Sequence, residues 1–158
     1  VVVDLKTLDE KGLAQAIEAH RGQVVLVDHW ATWCIPCREL FPHTVELHRE
    51  LSGRGLAVIS VSHDEPDQRE TALKFLQEQG AIFENYLSPY GVGSRGVEAF
   101  QVDALPHVNV YDREGRLAHS FTGGSPPFTH TEVADAVQRL LSDRNDATPT
   151  GAANRPQP

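Results

Sequence analysis

The chain holds two cysteines, three positions apart in Cys34-Ile35-Pro36-Cys37. That is too little sulfur for a disulfide framework and too close a spacing for a long-loop staple. At the start of a helix, however, three residues is about one turn, and the two sulfurs come within disulfide distance. The unpaired N–H groups and the positive end of the macrodipole there stabilise a thiolate at Cys34. Cys37 lies deeper, so the outer sulfur is expected to attack and the inner one to resolve the mixed disulfide. The competing reading is a static bridge or a pair of inert thiols. The setting argues against it, because Trp30-Ala31-Thr32-Trp33 precedes the pair at a strand-to-helix junction and Pro36 stands between the cysteines.

Asp28 lies six residues before Cys34, in a run that reads as a buried strand. Desolvation there is expected to raise the pKa of its carboxyl. A carboxyl poised near neutrality can take the proton from Cys37 when that sulfur attacks, through a water if need be. An Asp capping a strand end in solvent is the plainer alternative. Of the eight histidines, His20, His43, His48, His119 and His130 show no ligand spacing, and His63-Asp64-Glu65 reads as a loop cap after a strand.

The elements that must position these residues follow from periodicity. Residues 9–20 read as an amphipathic helix, 24–30 as a strand buried on both faces, and 35–51 as a helix kinked at Pro42. A second buried strand is expected over 56–62 and a helix over 66–79, giving a parallel pair with right-handed crossovers. A short strand is expected around 82–83, a Pro/Gly loop over 88–93 and a short helix near 96–100. A hairpin follows over 107–111 and 116–122, then a closing helix over 129–141. Residues 143–158 lack large apolar side chains and read as a disordered tail or linker behind a single domain over 1–142.

Composition narrows the class. The 158 residues are 40% hydrophobic and 23% charged, which excludes wholesale disorder and collagen-like repeats. A formal charge of −8 with no basic run argues against nucleic-acid binding, and no apolar run approaches the ~20 residues of a membrane span. Met is absent and the chain opens Val1-Val2-Val3, so an upstream segment, processed or trimmed away, is expected, a signal peptide or anchor being one form it could take.

The segment from Val24 to Arg38 resembles the thioredoxin superfamily: a hydrophobic strand, Asp28, Trp30-Ala31, then Trp33-Cys34-Ile35-Pro36-Cys37 and a basic residue. Pro42, five past Cys37, matches that family's helix proline, Leu105-Pro106 its cis-proline site, and Gly123 a glycine of the following strand. The residues between 66 and 100 resemble the insertion of the TlpA/ResA-like branch. The resemblance implies an α/β thioredoxin-like fold, a central mixed sheet flanked by helices, with that insertion between the second parallel strand and the cis-proline strand. It further implies a monomeric, extracytoplasmic bacterial thiol-disulfide oxidoreductase, periplasmic or membrane-tethered and without a cofactor. Such a protein acts on protein thiols and disulfides, as a reductant supplied by an upstream redox partner.

The roles it implies are Cys34 as nucleophile, Cys37 as resolving thiol and Asp28 as proton acceptor. Trp33, Ile35, Pro36, Leu105 and Pro106 form the substrate-docking surface, with Trp33 on the exposed lip and Trp30 packed inside. The chain departs from the branch at Asp28-His29, where Asn-Phe is usual, at Leu40, where Glu is usual, with Glu39 one position early, and at His107, where Thr is usual. His29 and His107 fall on strands that neighbour each other in that fold, with Asn109 the expected partner of His107. Two rival readings are a copper chaperone built on Cys34, Cys37 and His107, and a thioredoxin-fold interaction module without catalysis.

Overall fold

A computed structural model describes residues 2–143. The central sheet has six strands: β1 (Lys6–Thr7), β2 (Val24–Trp30), β3 (Leu56–Ser62), β4 (Glu84–Leu87), β5 (His107–Tyr111) and β6 (Leu117–Thr122), in the order β1-β4-β3-β2-β5-β6. β1, β4, β3 and β2 run parallel, and β5 and β6 are antiparallel. Among the described residues five α-helices flank it: α1 (Glu10–Ala19), α2 (Ile35–Leu51), α3 (Arg69–Gln79), α4 (Ser94–Phe100) and α5 (His130–Ser142). The mixed sheet between helices is the expected architecture.

β2 and β3 each open on an apolar stretch rich in β-branched residues, Val24–Val27 and Leu56–Ile59, and every residue in both strands is buried. Their alternation divides the core. Val24, Leu26, Val108 and Val110 face α2 and α5, where Leu47, Leu51, Val133 and Val137 cover them. Val25, Val27, Ile59 and Val61 face the other way, against Leu13 and Ile17 of α1 and Phe100 of α4. At the cysteine end of the sheet, Trp30 packs on Phe41 of α2 and Phe75 of α3, with ring centroids 5.1 and 5.0 Å apart. Helix ends follow capping chemistry: Asp9 accepts from the Gly12 N–H at 2.8 Å, and Thr129 with Glu132 forms a capping box on α5.

The structure departs from the expected elements in several places. The strand expected around residues 82–83 lies at Glu84–Leu87 instead. The buried Asn85 side chain donates to the carbonyls of Ala81 and Phe83, at 2.9 and 3.0 Å, and accepts from Ser60 at 2.7 Å. The two apolar residues before Glu84 are thereby held in a turn, and pairing begins at Ile59 opposite Glu84. Strand β1 was not expected at all, since two residues carry no period. α2 runs unbroken through Pro42. Asp143, assigned to the tail, is the C-cap of α5, and the rest of that segment lies outside the described residues.

Candidate active site

β2 ends at Trp30, and a turn over residues 31–34, closed by the Cys34 N–H on the Ala31 carbonyl at 3.2 Å, delivers the chain into α2. Cys34 is the N-cap: its Sγ accepts from the Cys37 N–H at 3.3 Å, one of the donors a helix start leaves unpaired. The two cysteines form a disulfide, with Cα atoms 5.2 Å apart. Both sulfur residues are well covered, Cys34 at 6% exposure and Cys37 at 1%. The order of depth is the expected one, but Cys34 stands less open than its expected role suggested. Trp33 and Ile35 beside it are exposed, Trp33 at 58%, while Trp30 is fully buried.

Asp28 is buried in β2, on the face turned to α2. Burial pushes its carboxyl up to about 7, against the opposing effect of a hydrogen bond from the Thr44 hydroxyl at 2.8 Å. Thr44 stands seven residues past Cys37, two turns along the same face of α2, so Asp28 and Cys37 meet one surface of one helix. The second carboxyl oxygen has no hydrogen-bond partner. Nothing in the sequence reading singled out Thr44; a hydroxyl between the core residues Phe41 and Val45 was the available signal.

The Leu105–Pro106 peptide is cis. Pro106 leads into β5, and its carbonyl accepts from the Gly123 N–H at 2.8 Å. A Cβ on Gly123 would stand 2.9 Å from the Leu105 carbonyl oxygen, so the close approach of the two segments requires glycine there. On one side of this edge lies a groove of about 530 Å³ lined by Pro36, Leu40, His43, Leu105, Pro106 and Phe128. On the other, a cleft of about 230 Å³ runs between Trp33 and Leu105, with His63 among its walls. All five expected docking residues therefore border the disulfide or these two depressions.

On the face of the sheet opposite Asp28, His29 stands directly across from His107 in the β2–β5 register, the two rings 5.7 Å apart. His107 Nε2 pairs with Asn109 Oδ1 at 3.0 Å, as expected, and with the Ser120 hydroxyl at 3.3 Å. The partner of His29 is His63, Nδ1 to Nε2 at 2.9 Å, one of the two nitrogens donating. Phe100 packs edge-on against His63, at 5.4 Å. Burial holds all three imidazoles below their usual pKa, His63 at about 4 and His29 well down. Cys34, Cys37 and His107 are not brought together as ligands: among the described residues no group of three His, Cys, Asp or Glu is placed to hold a metal ion.

The loop after β3 ties these parts together. His63 joins the imidazole cluster, Asp64 binds the turn before Cys34, and Glu65 accepts from the Val92 N–H at 2.9 Å, its carboxyl lying where a Cβ on Gly91 would clash. The loop-cap reading of 63–65 thus has a particular object, the active-site turn. The signal lay in the topology, since Trp30 and Ser62 are register partners and the residues after them leave the sheet side by side.

A mixed sheet of this order, with a Cys-x-x-Cys disulfide at a helix N-terminus opposite a cis-proline, is the arrangement of thioredoxin-fold proteins. Residues 2–121 match the AhpC/TSA family, and the chain belongs to it. It is similar to the thiol-disulfide oxidoreductase ResA of Geobacillus kaustophilus, 27% identical over 120 residues that cover 76% of this chain and 66% of that protein. It is 29% identical over 126 residues to the thiol:disulfide interchange protein HelX of Rhodobacter capsulatus, covering 79% of this chain and 65% of the relative. The chain thus spans slightly less than two thirds of these curated relatives. A thiol-disulfide isomerase from Corynebacterium glutamicum has the same fold, with a TM-score of 0.68 at 20% identity, over 90% of this chain and 96% of that one.

Proposed function

We propose that this protein is a thiol-disulfide oxidoreductase of the ResA-like branch, acting on protein substrates. The observation that carries the reading is the disulfide at the α2 N-terminus, its outer sulfur capping the helix and its inner sulfur on the helix face that meets Asp28. In the reduced protein the Cys34 thiolate attacks a substrate disulfide, forming a mixed disulfide and releasing one substrate thiolate. Asp28 takes the proton from the Cys37 thiol through its unpartnered oxygen, directly or through a water. Cys37 then attacks Cys34 Sγ, the second substrate thiolate leaves, and the Cys34–Cys37 bond closes. A carboxyl near 7 is matched to this task, since a free thiol titrates near ~8.5 and the proton moves only slightly uphill.

The cis Leu105–Pro106 edge takes an extended substrate segment alongside it, in the manner of an added strand, with Trp33, Ile35 and Pro36 on the far wall. We place the protein outside the bacterial cytoplasm, as a reductant restored by an upstream dithiol. No helix among the described residues is long and apolar enough to cross a membrane. The deciding experiment is trapping: the Cys37→Ser variant should accumulate mixed disulfides through Cys34, and the Cys34→Ser variant should not. Trapping through Cys37 instead would reverse the two roles. Equilibration against glutathione fixes the direction, a potential near about −270 mV marking a reductant and one near about −120 mV an oxidant.

A further inference from the structure

The Asp64 side chain is buried just past the end of β3, and its carboxylate reaches across to the segment before Cys34. Oδ1 accepts from the Thr32 N–H at 3.1 Å and the Thr32 hydroxyl at 2.5 Å. Oδ2 accepts from the same N–H at 3.1 Å and from the Ser62 hydroxyl at 2.6 Å. The Ser62 oxygen in turn accepts from the Asp64 N–H at 3.1 Å, so the carboxylate is itself fixed in place. Thr32 is the first inner residue of the turn over 31–34, and the next side chain, Trp33, projects into solvent between the Leu105 cleft and a second groove of about 320 Å³ on the Arg38 and Lys74 side. Cys34 is held from the α2 side by the Cys37 N–H on its sulfur and the Arg38 N–H on its carbonyl, and from the β2 side through Thr32.

We propose that Asp64 is a positioning residue for thiol-disulfide exchange: through Thr32 it holds the turn that aims Cys34 Sγ at the incoming disulfide. The proposal rests on the reading of Cys34 as the attacking sulfur. Attack at sulfur proceeds along the axis of the breaking S–S bond, and small displacements of a reacting group are costly in rate. Charge and position pull in opposite directions here. A nearby carboxylate disfavours the Cys34 thiolate, so its removal acting by charge alone would raise the thiolate fraction and speed the reaction at neutral pH. Its removal acting by position slows the reaction even when every Cys34 is ionised, by more than the modest loss of nucleophilicity that follows a lowered thiol pKa, and the loss of the Thr32 hydroxyl does so with no change of charge.

The test uses the full chain with Cys37→Ser, reduced and mixed with oxidised glutathione. The Cys34 thiolate attacks one glutathione sulfur, the glutathione S–S bond breaks, a Cys34–glutathione disulfide forms and one glutathione thiolate leaves. Its rate is followed by mass spectrometry across pH up to the plateau, at temperatures well below each variant's melting point. With Asp64→Ala the plateau should fall about tenfold. Thr32→Val, which keeps the backbone donor and loses the hydroxyl, should lower it about threefold. The two together should be no slower than Asp64→Ala alone, because they break one set of bonds. A plateau within twofold of the parent in Asp64→Ala, or fully multiplicative slowing in the pair, overturns the proposal. If Asp64→Ala does not fold, an unchanged plateau in Thr32→Val overturns it by itself. A Cys37→Ser parent that forms no glutathione adduct removes the assignment of Cys34, and the role of Asp64 with it.

Discussion

Asp28 and His29 are consecutive on β2, yet they enter two different environments. Asp28 points to α2, takes one hydrogen bond from Thr44 and is pushed up to about 7. His29 points the other way, into a cluster of two more imidazoles closed over by Phe100, and is pushed well down. The cause is the same on both faces, since burial favours the neutral form of any ionisable group. The outcome differs because the neutral carboxyl keeps its proton while the neutral imidazole has lost one. One face of the sheet thus holds a carboxyl that titrates near neutral pH. The other face favours neutral imidazoles, and His63 takes its proton only near about 4.

The largest effect should follow from removing the stored proton. Unfolded, Asp28 titrates near its ordinary value of ~3.9; folded, near 7. Between those values the folded state binds the extra proton, so the contribution of Asp28 to stability is full below about pH 4 and is lost as pH rises through about 7. Asp28→Asn, which can still accept from Thr44, should therefore be more stable than the parent at pH 8, by up to about 4 kcal/mol, with the advantage fading toward pH 4. Resolution of the mixed disulfide should slow by about a hundredfold in the same variant. Denaturant melts at pH 4, 6 and 8 and single-turnover release measure the two. A constant stability difference across that range would place Asp28 in contact with water.

The imidazole face should answer with the opposite slope. His63 takes its proton near the usual ~6.5 when unfolded and near 4 when folded, so its contribution is full above about 6.5 and is lost as pH falls toward 4. Asp64 beside it works to raise the value and His107 to lower it, while desolvation dominates both. His63→Gln keeps a hydrogen-bonding group for His29 and cannot titrate. It should remove up to about 3 kcal/mol of the parent's stability loss between pH 7 and pH 4. Parallel melting curves for parent and variant over that range would show that the cluster hydrates before it charges.

The two faces differ also in how far they could be read from sequence. Asp28, Cys34 and Cys37 were legible because they lie within ten residues of one another, across one strand and one helix start whose periods are strong. β2 and β3 were legible because each opens on an unbroken apolar stretch, Val24–Val27 and Leu56–Ile59. The histidine cluster was half legible: His29 and His107 came from strand adjacency, but His63 lies outside any strand, and its ring reaches back by a path that only the β2–β3 register defines. Thr44 was missed, and Asp64 was read only as part of a loop cap, because a hydroxyl in a helix and an acid after a strand are ordinary there; each gains its role from a residue at least 16 positions away. β4 was misplaced because the side chain of Asn85, a polar residue in a short strand, decided where pairing starts.

A smaller effect is expected where the cis-proline edge meets β6. Gly123→Ala puts a Cβ 2.9 Å from the Leu105 carbonyl oxygen, a backbone atom that can yield only if the cis-proline segment shifts. The cost to stability should be about 1–3 kcal/mol, the range for overpacking a close contact. Exchange with a protein disulfide should weaken more than iodoacetamide labelling of Cys34, because the small reagent does not use the edge. Equal losses in both assays would show that the strain reaches the cysteines themselves.

The smallest effect should come from His107→Thr, and it bears on whether the imidazole face takes part in the chemistry. His107 follows Pro106 directly, but its ring turns away to Asn109 Oδ1 and the Ser120 hydroxyl, and burial keeps it in the neutral form. A neutral imidazole stabilises a thiolate far less than an imidazolium does, so its loss should move the reduction potential by less than about 30 mV, or about 1.4 kcal/mol for a two-electron couple. Threonine retains a hydroxyl for the Asn109–Ser120 network, which limits the structural cost. The same variant tests the ligand set of a copper chaperone. Reduced parent protein dialysed against a competing chelator should retain no stoichiometric Cu(I) or Zn(II), and His107→Thr should behave identically. One equivalent of metal held by the parent and lost in the variant would make His107 and the two cysteines ligands, and would join the two faces of β2 into a single site.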